Sequence, residues 1–282
     1  MSIQGRPFWK MTGSGNDFVF FDARENPPGV LETRAAIDAL CARRTGIGAD
    51  GVVFLERDPI HSFGIRYFNR DGSLAELCGN ASLCSVTLAR TLGVVPEGSD
   101  FTFQTSSGPL KGRVINGIPE IEIASVTEQK NEVDIPRQVG EQRIGFARVG
   151  VPHLVVLVND VASVDVEGRG RELRNWPTLR DGANANFVAP HENGWIMRTY
   201  ERGVEAETLA CGTGAVATAS LLGAWNLAPD QVTLVTRSAA PLIANIPRST
   251  AQQPSLRGEG RLVFSGAVGD LGLPVLSTGK DS

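Results

Sequence analysis

Two cysteines open the same kind of phrase, and any fold proposed for this chain must account for the repetition. The first phrase runs from Glu76 through Cys78, Gly79 and Asn80 to Arg90; the second runs from Glu207 through Cys211, Gly212 and Thr213 to Leu222. In both, Cys-Gly-polar leads into a run of small residues with helical character. The likeness extends upstream, where Arg66-Tyr67-Phe68-Asn69-Arg70-Asp71-Gly72 precedes Cys78 and Arg198-Thr199-Tyr200-Glu201-Arg202-Gly203 precedes Cys211. Each half reads strand, polar turn, short connection, cysteine, helix. Such a duplication predicts two related domains about a pseudo-two-fold axis, with a ligand where the two helix N-termini converge.

The chain has 282 residues, enough for one large or two medium domains, each with an adequate core. Its 41% hydrophobic and 21% charged residues suit a soluble globular protein. A net charge of −4 argues against a nucleic-acid partner, which normally demands a basic patch. The segment from Met1 to Pro7 lacks the apolar stretch of a secretory signal, and no apolar run reaches the ~20 residues that span a bilayer. The expected partner is therefore a small molecule, with neither nucleic acid nor membrane. Four cysteines (Cys41, Cys78, Cys84, Cys211) without a Cys-x-x-Cys pair suggest neither a disulfide framework nor structural zinc. No metal is expected, and a reducing cytoplasm is the simplest setting.

Short β-branched and aromatic runs bounded by Gly, Asn, Asp and Pro predict strands at Phe18–Phe21, Val52–Leu55, Ile65–Phe68, Phe101–Gln104, Leu154–Val158, Trp195–Tyr200, Val232–Val235 and Leu262–Ser265. Helices are expected over Thr33–Arg43, after Cys78 to about Gly93, after Cys211 to about Gly223, and over Val164–Arg174. Many strands with few helices indicate an α+β fold. The polar stretch Ser125–Arg143 reads as a linker, and the tail after Gly266 as an added strand that returns to the first domain. The expected division is 1–122 with 268–282, carrying Cys78, and 123–267, carrying Cys211.

Paired thiols at helix N-termini suit one difficult reaction. Removing an amino-acid α-hydrogen leaves an unstable carbanion, and inverting the centre needs a base on one face and an acid on the other. A thiolate and a thiol meet both needs, exchange roles with reaction direction and titrate as a coupled pair. Helix N-termini favour a thiolate and a bound anion, so the N–H groups of Gly79, Asn80, Gly212 and Thr213 are candidates for holding the reacting carboxylate. Cys41 and Cys84 lie within apolar helical patterns and read as core. His61 and His191, in polar surroundings near prolines, are assigned no function.

At these residues the chain resembles the diaminopimelate epimerase family, enzymes that work without pyridoxal phosphate or any other cofactor. The likeness rests on Met11–Phe18, Arg44–Gly51, Phe68–Ser73, Cys78-Gly79-Asn80, Gly150–His153, Asn184–Phe187, Tyr200–Gly203 and Glu207–Gly214, which occur in order along nearly the whole chain. It implies two pseudo-symmetric domains, each a curved mixed sheet wrapped around a central helix, with the site in the cleft between them. It implies that Cys78 and Cys211 are the acid–base pair, that Asn16, Asn69, Asn184, Glu201 and Arg202 bind substrate, and that His153 and Glu201 support catalysis. Arg202 suits a second, distal carboxylate through its planar bidentate donors. Taken alone, Asn69 and Asn184 equally suit caps or turns, and Glu201-Arg202 a surface pair.

Where the family often carries Gly and Arg after Cys-Gly-Asn, Ala81 and Leu83 stand here; Gly51 and Val151 occupy positions that are often Gln and Asn. The resemblance implies interconversion of LL- and meso-diaminopimelate, in lysine and peptidoglycan precursor synthesis, and a homodimer. A racemase with another amino-acid substrate and a non-catalytic binding protein are the alternatives. Two thiols that share one substrate carbon are also expected to join as a disulfide on oxidation.

Overall fold

Residues 3–75, 78–192, 194–249 and 252–272 are described by the structure, a computed structural model. The first half contains β1 (Pro7–Gly13), β2 (Asn16–Asp22), α1 (Arg34–Cys41), β3 (Gly51–Glu56), β4 (Gly64–Asn69), α2 (Gly79–Thr91), β5 (Phe101–Thr105), β6 (Gly108–Ile115) and β7 (Ile118–Glu122). Next come β8 (Val126–Lys130), β9 (Glu141–Val149), β10 (Val151–Val158), α3 (Val166–Arg174), β11 (Asn184–His191), β12 (Gly194–Glu201) and β13 (Ala206–Thr208). The chain continues with α4 (Gly212–Ala224), β14 (Gln231–Val235), β15 (Pro241–Asn245), β16 (Ser255–Arg257) and β17 (Arg261–Ala267). All the runs expected as strands are strands, because β-branched and aromatic side chains fill a pleated, half-buried surface well.

The pairings give the repeat its physical form. From one edge the strands follow the order β17-β1-β2-β3-β4-β5-β6-β7, then β16-β15-β14-β12-β11-β10-β9-β8. Read from either end, the succession of parallel and antiparallel neighbours is the same: β2–β3 and β10–β11 are parallel, as are β4–β5 and β12–β14. The bridge between Phe68 and Leu74 matches the β12–β13 pairing. The antiparallel contact of β7 with β16 lies at the centre of this palindrome. The fold is mixed α+β, a large mixed sheet with few helices.

Each half lends its last strand to the other. β8 follows the first half and pairs with β9, whereas β17 ends the second half and pairs with β1. Two expectations are corrected here. The Ser125–Arg143 stretch is not all linker, since β8 and the start of β9 lie within it; alternation of Val126, Glu128 and Lys130 gave too weak an apolar signal. The returning strand is β17 itself, ahead of the tail, because Trp9 and Phe8 offer it a ladder at Ser265 and Gly266. Residues 273–282, including Pro274, lie outside the described residues.

α2 lies against β1, β6 and β7, and α4 against β9, β10 and β15, so both central helices are buried around most of their circumference. Small residues make this possible: Ala81, Ser82, Ser85 and Ala89 in α2, and Gly214, Ala215, Ala217 and Ala219 in α4, let strands approach closely. The largest core is continuous across both halves, joining Val53, Leu83 and Phe103 with Val155, Leu221 and Leu234. α1 and α3 cover smaller cores on the outside. Thr33 caps α1 through its hydroxyl and Asp165 caps α3 through its carboxylate. α1 stops at Cys41, before Arg43 and Arg44, and α4 runs one residue past Gly223, with left-handed Asn226 following it.

Candidate active site

Cys78 and Cys211 each sit immediately before the first helical residue, with backbone angles of −132°/114° and −133°/109°. Their carbonyls accept from Ser82 and Ala215 N–H, both at 2.9 Å. The sequence repeat is thus a repeat of local geometry. The two first turns converge on one side chain, Leu256 of β16: a Cβ placed on Gly79 would lie 3.9 Å from its Cδ2, and one on Gly212 would lie 2.8 Å from it. A side chain at Gly212 would displace the end of this buried leucine.

The helix N-termini supply donors that favour both thiolates, and burial opposes them. Burial pushes the Cys78 thiol up to about 11 and the Cys211 thiol up to about 12, and the negative charge of Glu201 adds to both. The N–H groups of Asn80 and Ala81 oppose this at Cys78; the Thr213 hydroxyl, 3.6 Å from Sγ, and the Gly214 N–H oppose it at Cys211. Desolvation outweighs the donors. Cys41 and Cys84 are fully buried, and burial raises both thiols, in keeping with a core role. All four cysteines are free.

Around Cys78 the polar groups form a chain. Asn80 Nδ2 donates to Asn16 Oδ1 at 2.8 Å, and Asn16 Nδ2 donates to Asp50 Oδ2 at 3.0 Å. Arg43 in turn binds Asp50 and both oxygens of Asp17, while Lys10 reaches Asp17 and the Gly48 carbonyl. Asn16 is thereby oriented from the rear by a fixed carboxylate, and Asn80 Oδ1 is buried without a partner among the described residues. Asn69 closes the turn after β4, its N–H bonded to the Ser73 carbonyl and its amide to the Ser73 hydroxyl. The space that a side chain at Gly51 would fill is taken by Tyr67, whose ring Cε2 lies 2.4 Å from a Cβ placed there. Ala81 and Leu83 are core residues, with Leu83 packed beneath the Gly258–Gly260 turn.

The Cys211 side is built differently. His153 is fully buried on β10, opposite Asn184 of β11. Asn186 fixes the tautomer: its Oδ1 accepts from Thr199 Oγ1 at 2.9 Å and its Nδ2 donates to the Leu154 carbonyl at 2.9 Å. The same Nδ2 lies 3.3 Å from His153 Nδ1, so Nδ1 accepts and the ring proton resides on Nε2, which has no partner among the described residues. Burial, with the Arg202 charge nearby, pushes the imidazole down to about 3 and keeps it neutral. Asn184 Oδ1 accepts from the Arg202 N–H at 2.7 Å. Arg202 Nη1 donates to the Asp181 carbonyl, and its guanidinium makes no ion pair among the described residues. Burial raises the Glu201 carboxyl, whose charge reaches both sulfurs.

Asn186 and Tyr67 are the residues that sequence reasoning passed over. A Cβ on Gly214 would come within 2.4 Å of Asn186 Oδ1 and 3.2 Å of Cys211 Sγ, so Asn186 packs under the first turn of α4. The signal was present in the alternation of Asn184 and Asn186, two asparagines on one face of an otherwise apolar strand.

Solved structures with the same fold include a phenazine biosynthesis protein of the PhzF family from Bacillus anthracis, with a TM-score of 0.69, 13% identity and coverage of 93% of this chain and 98% of that one. A probable proline racemase from Agrobacterium radiobacter gives 0.62 at 16% identity over 93% and 92%. Relatives in sequence define the class, an isomerase of the amino-acid epimerase kind. The diaminopimelate epimerase family model matches residues 8–125 and 145–241. The diaminopimelate epimerase of Gemmatimonas aurantiaca is 45% identical over 94% of this chain and 99% of its own length, and that of Aquifex aeolicus 42% over 75% and 79%. The chain belongs to the diaminopimelate epimerase family.

Proposed function

We propose that this protein interconverts LL- and meso-diaminopimelate by proton transfer between Cys78 and Cys211, without a cofactor. One sulfur, as thiolate, removes the α-hydrogen while the other, as thiol, delivers its proton to the opposite face of the same carbon. The electron pair left at carbon delocalises into the adjacent carboxylate, where the N–H groups of Gly79, Asn80, Gly212 and Thr213 stabilise the developing charge. The desolvation that makes thiolate formation unfavourable also makes the thiolate, once formed, a stronger base toward the α-hydrogen. Asn16, Asn69, Asn184, Glu201 and Arg202 hold the rest of the substrate, with Arg202 on the distal carboxylate; His153 and Glu201 support the thiols.

The observation that carries the reading is the matched backbone geometry of the two cysteines, converging on Leu256. In deuterated water, conversion of LL-diaminopimelate should place one deuterium at the inverted α-carbon. The Cys78→Ala, Cys211→Ala double variant should lose at least about 10³-fold in exchange rate. Full exchange in that variant rules out the mechanism.

The proposed setting is a reducing cytoplasm, where the four thiols stay free; no helix among the described residues is long and apolar enough to cross a membrane. The proposed assembly is a homodimer. Edge strand β17 presents Leu262, Val263 and Phe264 to solvent, an apolar edge of the kind that pairing with a second copy covers. Sedimentation equilibrium reads this directly: a Phe264→Lys variant that leaves the mass unchanged from a dimeric parent removes β17 from the interface.

A further inference from the structure

A small cavity adjoins Cys78. It is lined by Cys78, Ala81 and Ser82 at the start of α2, by Ile65 and Tyr67 of β4, and by Ala75, Thr105 and Ser106. Its volume is about 10 Å³, room for a single water molecule. Besides the exposed Ser106, two hydroxyl-bearing residues of this wall make no side-chain hydrogen bond among the described residues. Ser82 Oγ is buried and unpartnered. Tyr67 OH makes none either, although its ring is held edge-on by Phe18 at 5.6 Å and clamped against Gly51.

The pseudo-symmetry shows what these groups replace. Two residues after Cys211, the Thr213 hydroxyl contacts the sulfur directly. Two residues after Cys78 stands Asn80, whose amide is turned away to Asn16. Four residues on, the buried Ala215 of α4 corresponds to Ser82 in α2. The Cys78 side has lost the hydroxyl at one position and gained one at the other, together with the phenol.

We propose that Tyr67 and Ser82, bridged by one water in this cavity, are positioning residues that hydrogen-bond Cys78 in its thiolate form, as Thr213 does for Cys211. The inference rests on Cys78 and Cys211 being the acid–base pair. It assigns a task to the tyrosine that fills the place of a side chain at position 51. Besides Tyr67, the ionisable groups facing Cys78 among the described residues are Glu201 of β12, Asp50 ahead of β3, Cys84 on α2 and Cys211 on α4. The charges of Glu201 and Asp50 oppose its ionisation, while the thiols of Cys84 and Cys211, raised further by burial, stay neutral beside it. The Asn80 and Ala81 N–H groups favour ionisation, and neutral donors are the remaining means of stabilising a thiolate there.

The test reads thiol ionisation directly and does not depend on which substrate is turned over. In a Cys211→Ala background, the rate of Cys78 alkylation by iodoacetamide is followed against pH, with the modified peptide identified by mass. Tyr67→Phe and Ser82→Ala are each expected to raise the midpoint by about one pH unit, the scale of a hydrogen bond to a charged group. In a Cys78→Ala background the same substitutions should leave the Cys211 midpoint in place, which also reports that the fold is intact. A Cys78 midpoint unmoved by both substitutions, or a shift of equal size at Cys211, overturns the proposal.

Discussion

His153 shows how much one side chain can carry when it is buried without its full set of partners. Its imidazole is held neutral by desolvation, with Nδ1 accepting from Asn186 and Nε2 carrying the proton. The folded-state value of about 3 lies below the unfolded value of about 6.5, so the unfolded chain binds a proton that the folded chain refuses. The stability tied to the neutral ring is fully present above about pH 6.5 and is lost as pH falls from there toward 3. The stability of the wild type measured by urea unfolding should therefore fall by up to about 1.4 kcal/mol per pH unit from this residue as pH drops below about 6.5. A His153→Gln variant should lack that component of the slope. Identical slopes in the two proteins would show that His153 titrates normally. Both cysteines were legible from sequence as a repeat, whereas His153 was singled out only through the family resemblance. Asn186 and Tyr67 were not legible, because their roles depend on Gly214 and Gly51, residues whose meaning lies in what occupies the space beside them.

Within an element, two of the three glycines of α4 separate geometry from propensity. A Cβ on Gly214 would lie 2.4 Å from Asn186 Oδ1, closer than a Cβ tolerates, and a tight 3.2 Å from the Cys211 sulfur, whereas a Cβ on Gly223 meets nothing within 4 Å. Gly214→Ala is expected to push the first turn off Asn186 and lower kcat/KM by about 10²-fold, the scale of a misplacement of about an ångström at a reacting centre. Gly223→Ala should leave kcat/KM alone and raise stability by about 0.5–1 kcal/mol through helix propensity. Steady-state kinetics and denaturant midpoints on both variants read the contrast; equal effects at the two positions would remove Gly214 from the site. The strands and helices themselves were readable because alternation and small-residue runs are local. β8 was not, since an edge strand with Glu128 and Lys130 toward solvent looks like a polar loop until β9 is beside it.

For the whole molecule, the duplication suggests two units that unfold separately, yet the interior argues otherwise. The largest core runs without interruption from Phe103 and Leu83 to Leu221 and Leu234, and each half borrows its outermost strand from the other. At the centre, Glu120 is buried between Arg113 of β6 and Arg257 of β16, tying β7 to β16 by charge as well as by ladder. Neither half keeps a complete sheet or a closed core without its neighbour. Unfolding is therefore expected as one cooperative transition, with far-UV dichroism and tryptophan fluorescence coincident in denaturant. Leu256 lies at the joint and touches the first turns of both central helices, so Leu256→Ala should cost about 2–5 kcal/mol. That loss should move the single transition to lower denaturant without splitting it. It should also lower activity beyond the effect on stability, because the cavity loosens the spacing of Gly79 from Gly212 and hence of the two thiols. Two resolved transitions in the parent protein would mean that the halves are held together only at their surfaces, and the site between them would then owe its geometry to the substrate and not to the core.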